Sequence, residues 1–200
     1  MELLHNLQGN IACYGPEVFA FNLPAPQTCR PTKWCIANCY TQSIHLNKLH
    51  REERYKISLS KEFPNLIIKE IKRKRIKLVR LHSTGDFYSE SYIKKWIKTA
   101  RSCSDTLFRT STRRRDLTQD IVKLNALKNF VVRESLDPSR THPAMNLPLV
   151  AVEGVPLAKN FFRCLLNCNK CNYYCWYRKT NILLPIFYRA KDENFLIPDL

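Results

Sequence analysis

An α/β fold of parallel βα repeats, forming an open sheet or a partial TIM-like barrel with a small C-terminal Cys-rich appendage, follows from three features of the chain. Short apolar runs end in turn residues, amphipathic stretches at helical period separate them, and the order strand then helix repeats along the middle of the sequence. Two hundred residues with 44% hydrophobic content are enough to bury a core of that kind.

The first strand is expected at Glu17 to Phe21, followed by a cysteine-bearing loop and a helix from Thr41 onward. Leu66, Ile67, Ile68 and Ile71 mark one face of the next helix, with Lys69, Glu70, Lys72 and Arg73 on the other. Lys77 to His82 is short and mostly apolar and runs into Ser83-Thr84-Gly85-Asp86, which suits a buried strand entering a turn. Ser89 is placed to cap a helix whose Ile93, Trp96, Ile97 and Ala100 share one face. Thr106 to Ser111 reads as a strand, and Asp116 with Gln119 resembles a capping box for a helix buried along Ile121, Leu124 and Leu127. Phe130 to Ser135 and Leu149 to Val152 are the next strands, separated by the proline-rich stretch from Asp137 to Pro148. The division is a core over 1–158 and a Cys-rich segment over 159–200 packed on it.

In parallel βα folds the functional face lies at the C-terminal ends of the strands. Those ends here are His82-Ser83-Thr84-Gly85-Asp86, Ser111-Thr112-Arg113 and Ser135-Leu136-Asp137. Ser, Asp and Gly also serve turns, so each tip alone has a local explanation. Together they make His82, Ser83, Gly85, Asp86, Ser111 and Ser135 candidate pocket residues.

Nine cysteines are present, and seven fall into two groups: Cys29, Cys35 and Cys39 near the start, and Cys164, Cys168, Cys171 and Cys175 near the end. Thiolates are the soft ligands of zinc and iron–sulfur clusters. The odd count, the length of the chain and the absence of a secretory pattern over Met1 to Ala20 favour a reduced cytoplasmic setting over a disulfide framework. The compact C-x3-C-x2-C-x3-C run suits an iron–sulfur site better than the two separated pairs usual for structural zinc. Its i, i+4, i+7, i+11 spacing would also suit a buried helix stripe, but Asn167, Asn169 and Asn172 argue for a folded loop. Cys13 is a spare ligand or, like Cys103, a buried thiol.

The net charge of +16 favours an anionic substrate or nucleic acid as partner, or else reflects solvated helix faces. Arg113, Arg114 and Arg115 follow a strand and are the better anion candidates, while Lys72 to Arg75 would complement a helix C-terminus. Tyr173, Tyr174, Trp176 and Tyr177 could stack on bases or shield a metal site. No 18-residue apolar run suits a membrane span, and the four glycines form no phosphate loop.

Two resemblances add to this reading. A three-cysteine loop after the first strand, with Tyr40 beside its last cysteine, resembles in position the cluster loop of radical S-adenosylmethionine enzymes, although both gaps exceed that family's C-x3-C-x2-C. Ser83-Thr84-Gly85-Asp86 is a loose analogue of the Gly-Gly-Glu segment at the end of that family's second strand. The segments Phe21 to Ala25, Thr28-Cys29, Trp34-Cys35, Asn38-Cys39-Tyr40, Arg80 to Tyr88 and Ser135 to Asp137, with the terminal cysteines, resemble the phage gene product 88 family over about residues 17 to 177. That resemblance implies a phage or viral origin, hence host cytoplasm, and transfers no activity.

The expectation is therefore an iron–sulfur protein, a divergent radical S-adenosylmethionine-like enzyme with a [4Fe-4S] cluster at Cys29, Cys35 and Cys39. An auxiliary cluster is expected at Cys164, Cys168, Cys171 and Cys175, and S-adenosylmethionine near Tyr40 and the strand tips. The alternative is a nucleic-acid-binding protein stabilised by zinc or iron–sulfur.

Overall fold

The computed structural model describes residues 2–7, 15–39, 48–157 and 160–185, and Cys13 and Tyr40 lie outside them. Eight strands form one sheet: β1 (His5–Asn6), β2 (Val18–Phe21), β3 (Leu78–Leu81), β4 (Leu107–Thr112), β5 (Phe130–Leu136), β6 (Leu149–Val152), β7 (Phe162–Arg163) and β8 (Ile182–Leu184). Their spatial order is β1-β2-β3-β4-β5-β6-β8-β7, and every pairing is parallel except that of β1 with β2. The sheet is open, so the parallel βα expectation holds at that level and no barrel closes among the described residues. The Cys-rich segment does more than rest on the core, because β7 and β8 extend the sheet beyond β6.

Helices α1 (Lys33–Ala37), α2 (Lys48–Leu59), α3 (Phe63–Lys74), α4 (Glu90–Ser102), α5 (Thr118–Asn125) and α6 (Tyr174–Tyr177) complete the order. Ser89 caps α4 as expected, its side chain accepting from the Tyr92 N–H, and Tyr92, Ile93, Trp96 and Ala100 are buried. The capping box at Asp116 does not form. A 3-10 turn at Arg115–Leu117 intervenes, α5 begins at Thr118 without a side-chain cap, and Asp116 is taken by Arg114 and Arg30 instead. Glu70, expected on the solvent face of α3, is buried because it accepts from the Leu3 and Leu4 N–H groups and pairs with Lys74. Leu66, expected on the apolar face, is 43% exposed.

Parallel register and the two-residue period of strands sort the side chains by face. Leu78 aligns with Leu107, Arg80 with Arg109, Arg109 with Val131, and Ser111 with Arg133. One face therefore carries Val79, Leu81, Phe108, Phe130 and Val132, which pack under α3, α4 and α5 around Trp96. The other carries Val18, Ala20, Leu78, Leu107 and Val150, which pack against Leu7, Cys168, Cys175 and Trp176. Helices cover the first face, and the Cys-rich segment covers the second.

His82 departs from this alternation. Its backbone takes a left-handed φ of 57°, and its ring enters the helix-side core, with Nε2 3.0 Å from the Tyr92 hydroxyl and the ring edge-on to Phe87. Burial pulls its pKa down to about 3, and that of His5 down to about 4. Above pH 6.5 neither the folded nor the unfolded chain protonates His82. As pH falls toward 3 only the unfolded chain takes up the proton, so stability drops by up to about 1.4 kcal/mol per pH unit. Urea denaturation from pH 7 to pH 4.5 is expected to show a shallower loss for His82→Gln than for the parent chain, and equal slopes would contradict this assignment.

Candidate functional site

Two thiol sets lie at different heights on the sheet. The first is carried by the segment after β2. A turn over residues 25–28 sets Cys29, whose N–H donates to the Pro26 carbonyl. Thr32 then caps α1 by accepting from the Cys35 N–H at 3.1 Å. The same Thr32 hydroxyl donates to Asp137 Oδ2 at 2.7 Å, and Arg113 Nε donates to that oxygen at 3.0 Å. Ser139 continues the tie, its N–H reaching Asp137 Oδ1 and its hydroxyl accepting from the Trp34 N–H. Asp137, fully buried after β5, thus fixes the cysteine segment to the strand ends.

Asp86 has a similar structural load. It accepts from the Thr112 hydroxyl at 2.7 Å and from the N–H groups of Phe87 and Arg113 at 2.7 and 2.9 Å. Burial pushes its carboxyl above the usual range against the pull of those donors. Gly85, at φ +85°, sits so close to the Cys29 segment that a Cβ would meet Leu23 Cβ at 2.6 Å and Thr28 Oγ1 at 2.8 Å. The Ser83 and Thr84 N–H groups donate to Asn22 Oδ1. The Ser-Thr-Gly-Asp turn therefore locks onto the Asn22 to Thr28 segment. Ser111 and Ser135 occupy the face opposite the helices, one step below Arg113 and Asp137.

Burial pushes the Cys29 thiol up to about 12, with the Asp86 carboxylate and the nearby Cys35 and Cys39 adding to it and Arg113 opposing. Cys35 is raised first by burial, and Arg113 pulls it back more strongly than any other neighbour acts on it. These shifts place the three cysteines within electrostatic reach of one another.

The second set folds as a loop, not as a regular helix. Leu166, Asn172 and Tyr173 take left-handed φ values, and the chain turns through residues 168–173 into the single helical turn α6. Asn167 holds the turn by accepting from the N–H groups of Lys170 and Cys171. Burial raises the Cys168 thiol to about 12, with Arg109 pulling against it and Cys175, Cys171 and Cys164 adding to it. Cys164 is raised by burial too, and the Leu166 N–H and Arg109 oppose. Among the described residues no group of three or more His, Cys, Asp or Glu side chains is gathered so as to hold a metal ion.

The arginine tract is spent internally. Arg113 pairs with Asp137, Arg114 with Asp116, and Arg115 with the fully buried Glu134. Arg114 also donates to the Phe87 carbonyl and Arg115 to the His142 carbonyl. His82 is turned into the core. The aromatic group around α6 is split, with Trp176 buried and Tyr177 63% exposed.

Three arginines that no motif singled out lie beneath the second set: Arg80, Arg109 and Arg133, at strand positions on the face opposite the helices. The signal was an arginine inside each of three apolar strands, in Leu78-Val79-Arg80, Leu107-Phe108-Arg109 and Val131-Val132-Arg133. Arg109 lies over the Trp176 ring at 4.3 Å and donates to Cys175 Sγ.

A family model described as Gene product 88 matches residues 4–152. No curated protein matches, and no solved structure matches. Among the described residues no helix is long and apolar enough to cross a membrane.

Asp137→Asn removes the charge that holds both Thr32 and Arg113, and is expected to lower stability by about 3 kcal/mol. Hydrogen exchange should quicken over residues 32–38 while the amides of β4 stay protected. Unchanged exchange over 32–38 would show that Asp137 does not anchor the cysteine segment.

Proposed function

This chain belongs to the gene product 88 family, and we propose that it is an iron–sulfur enzyme of the radical S-adenosylmethionine type. Its first cluster would rest on Cys29, Cys35 and Cys39, and a second on Cys164, Cys168, Cys171 and Cys175. The observation that carries the reading is one of placement. The three-cysteine segment follows the first parallel strand and meets the C-terminal edge of the sheet, where successive strands deliver Asp86, Arg113 and Asp137.

The donor sets suit clusters more than single ions. Four thiolates around one zinc at about 2.3 Å lie roughly 3.8 Å apart, whereas a cubane puts each thiolate on a different iron and spreads them wider. Sulfurs that feel one another without forming a single-ion cage match the wider spacing better. Thiols must lose their protons to ligate, and metal binding supplies the drive that burial withholds.

When bound, a cluster with three protein thiolates leaves one iron for the amino acid end of S-adenosylmethionine and supplies the electron that cleaves its sulfonium. The chain's own residues supply position. Thr32, Arg113 and Asp137 fix the segment that bears the thiols. Gly85 lets the Ser-Thr-Gly-Asp turn close against it, and Asp86 holds that turn to β4 through Thr112 and Arg113. Ser111 and Ser135 offer hydroxyls on the face opposite the helices near the strand ends, suited to hydrogen-bonding a polar ligand.

The nucleic-acid reading loses its main support, because Arg113, Arg114 and Arg115 are each engaged by a carboxylate. The test is anaerobic incubation of reconstituted protein with S-adenosylmethionine and dithionite. Release of methionine and 5′-deoxyadenosine, lost in Cys29→Ala, is expected. Iron-loaded protein that releases neither would remove the enzyme reading.

A further inference from the structure

Arginines are seldom placed side by side on a covered sheet face, since like charges in register repel and each loses hydration. Arg80 and Arg109 are register partners on β3 and β4. Arg133 lies one step farther along on β5, opposite Ser111. Burial, then the neighbouring Arg109, pulls the Arg80 pKa down to about 9, and the groups that favour its charge are Cys175, Cys168 and Cys164. Arg133 is clamped by three carbonyls of the Cys-rich segment: Nη1 donates to Cys175 O at 3.1 Å, Nη2 to Arg178 O at 2.6 Å and Nε to Thr180 O at 2.9 Å. Arg109 donates to Cys175 Sγ while its guanidinium covers Trp176. The cationic tier and the four-cysteine loop thus form one unit across the sheet surface.

We propose that Arg80, Arg109 and Arg133 form a fixed cationic floor that selects a net-anionic tetrathiolate centre on Cys164, Cys168, Cys171 and Cys175 and raises its reduction potential. The proposal rests on the reading that this loop binds metal. Four thiolates around a dipositive cubane core, or around one zinc ion, leave a net charge of −2. Neutral thiols give the arginines no counter-charge, and a dianion supplies one. If the centre is a cluster, a one-electron reductant such as dithionite takes it from −2 to −3, and neighbouring positive charge favours the more negative state. Arg133 acts as a positioning residue through the carbonyls, whereas Arg109 and Arg80 act through charge.

The experiment uses the full chain carrying Cys29→Ala, Cys35→Ala and Cys39→Ala, reconstituted anaerobically with ferrous iron and sulfide, so that a single centre is read. Arg109→Gln, Arg109→Lys and Arg80→Gln are compared for iron retained under EDTA and for midpoint potential in a dye-mediated dithionite titration followed by electron paramagnetic resonance. Both Gln variants are expected to lose iron at least tenfold faster and to titrate at lower potential, with Arg109→Lys restoring most of both. Should Arg109→Gln fail to fold, Arg80→Gln carries the same expectation. Folded Gln variants with parental retention and potential would overturn the cationic floor and leave the metal reading intact. A triple-alanine chain that takes up neither iron nor zinc would instead overturn the metal reading, and the proposal with it.

Discussion

Strict alternation along parallel strands in register is the constraint from which the rest of this molecule follows. Because β2 to β5 align without offset in face, each residue type falls into a lateral row that crosses several strands. The helix-side rows are aromatic and aliphatic and make the core. On the other side the rows change character along the strands. They run from Leu78, Leu107 and Val131, through Arg80, Arg109 and Arg133, to Ser111 and Ser135, and finish at Arg113 and Asp137. A one-residue slip in β4 would send Arg109 into the core under α4 and Phe108 toward the cysteines.

The two thiol sets sit in opposite electrostatic settings on this scaffold. Asp86 and Asp137 bear on the first, with Arg113 as the opposing charge, so its surroundings are mixed. The second lies against a tier of arginine, and Arg109 is the strongest charged opponent of burial at Cys168. A mixed setting suits a site that must take a charged, polar ligand as well as thiolates. A uniformly cationic one suits a centre that keeps its negative charge buried.

Much of the fold was legible because its signals are local. Ser89 before an amphipathic run, the apolar stretch at Leu149 to Val152, and the asparagines within the last cysteine group each specify structure within a few residues. What escaped the sequence depends on distant partners. Glu70 is buried because the chain start returns to it, and Asp116 leaves its capping role because Arg114 and Arg30 reach it first. Arg113 to Arg115 read as a free basic tract, yet Glu134 and Asp137 come from the next strand to meet two of them. His82 followed the strand pattern on paper, and one left-handed residue turned it into the core.

The central claim is that one sheet serves two separate metal–thiolate centres. The direct measurement is iron, zinc and acid-labile sulfide per chain after anaerobic purification. It would be made on the parent and on two variants, one with Cys29, Cys35 and Cys39 changed to Ala and one with Cys164, Cys168, Cys171 and Cys175 changed to Ala. The account predicts about eight irons with matching sulfide in the parent and about four in each variant. Zinc without iron in all three, or loss of all metal from either variant alone, would contradict it.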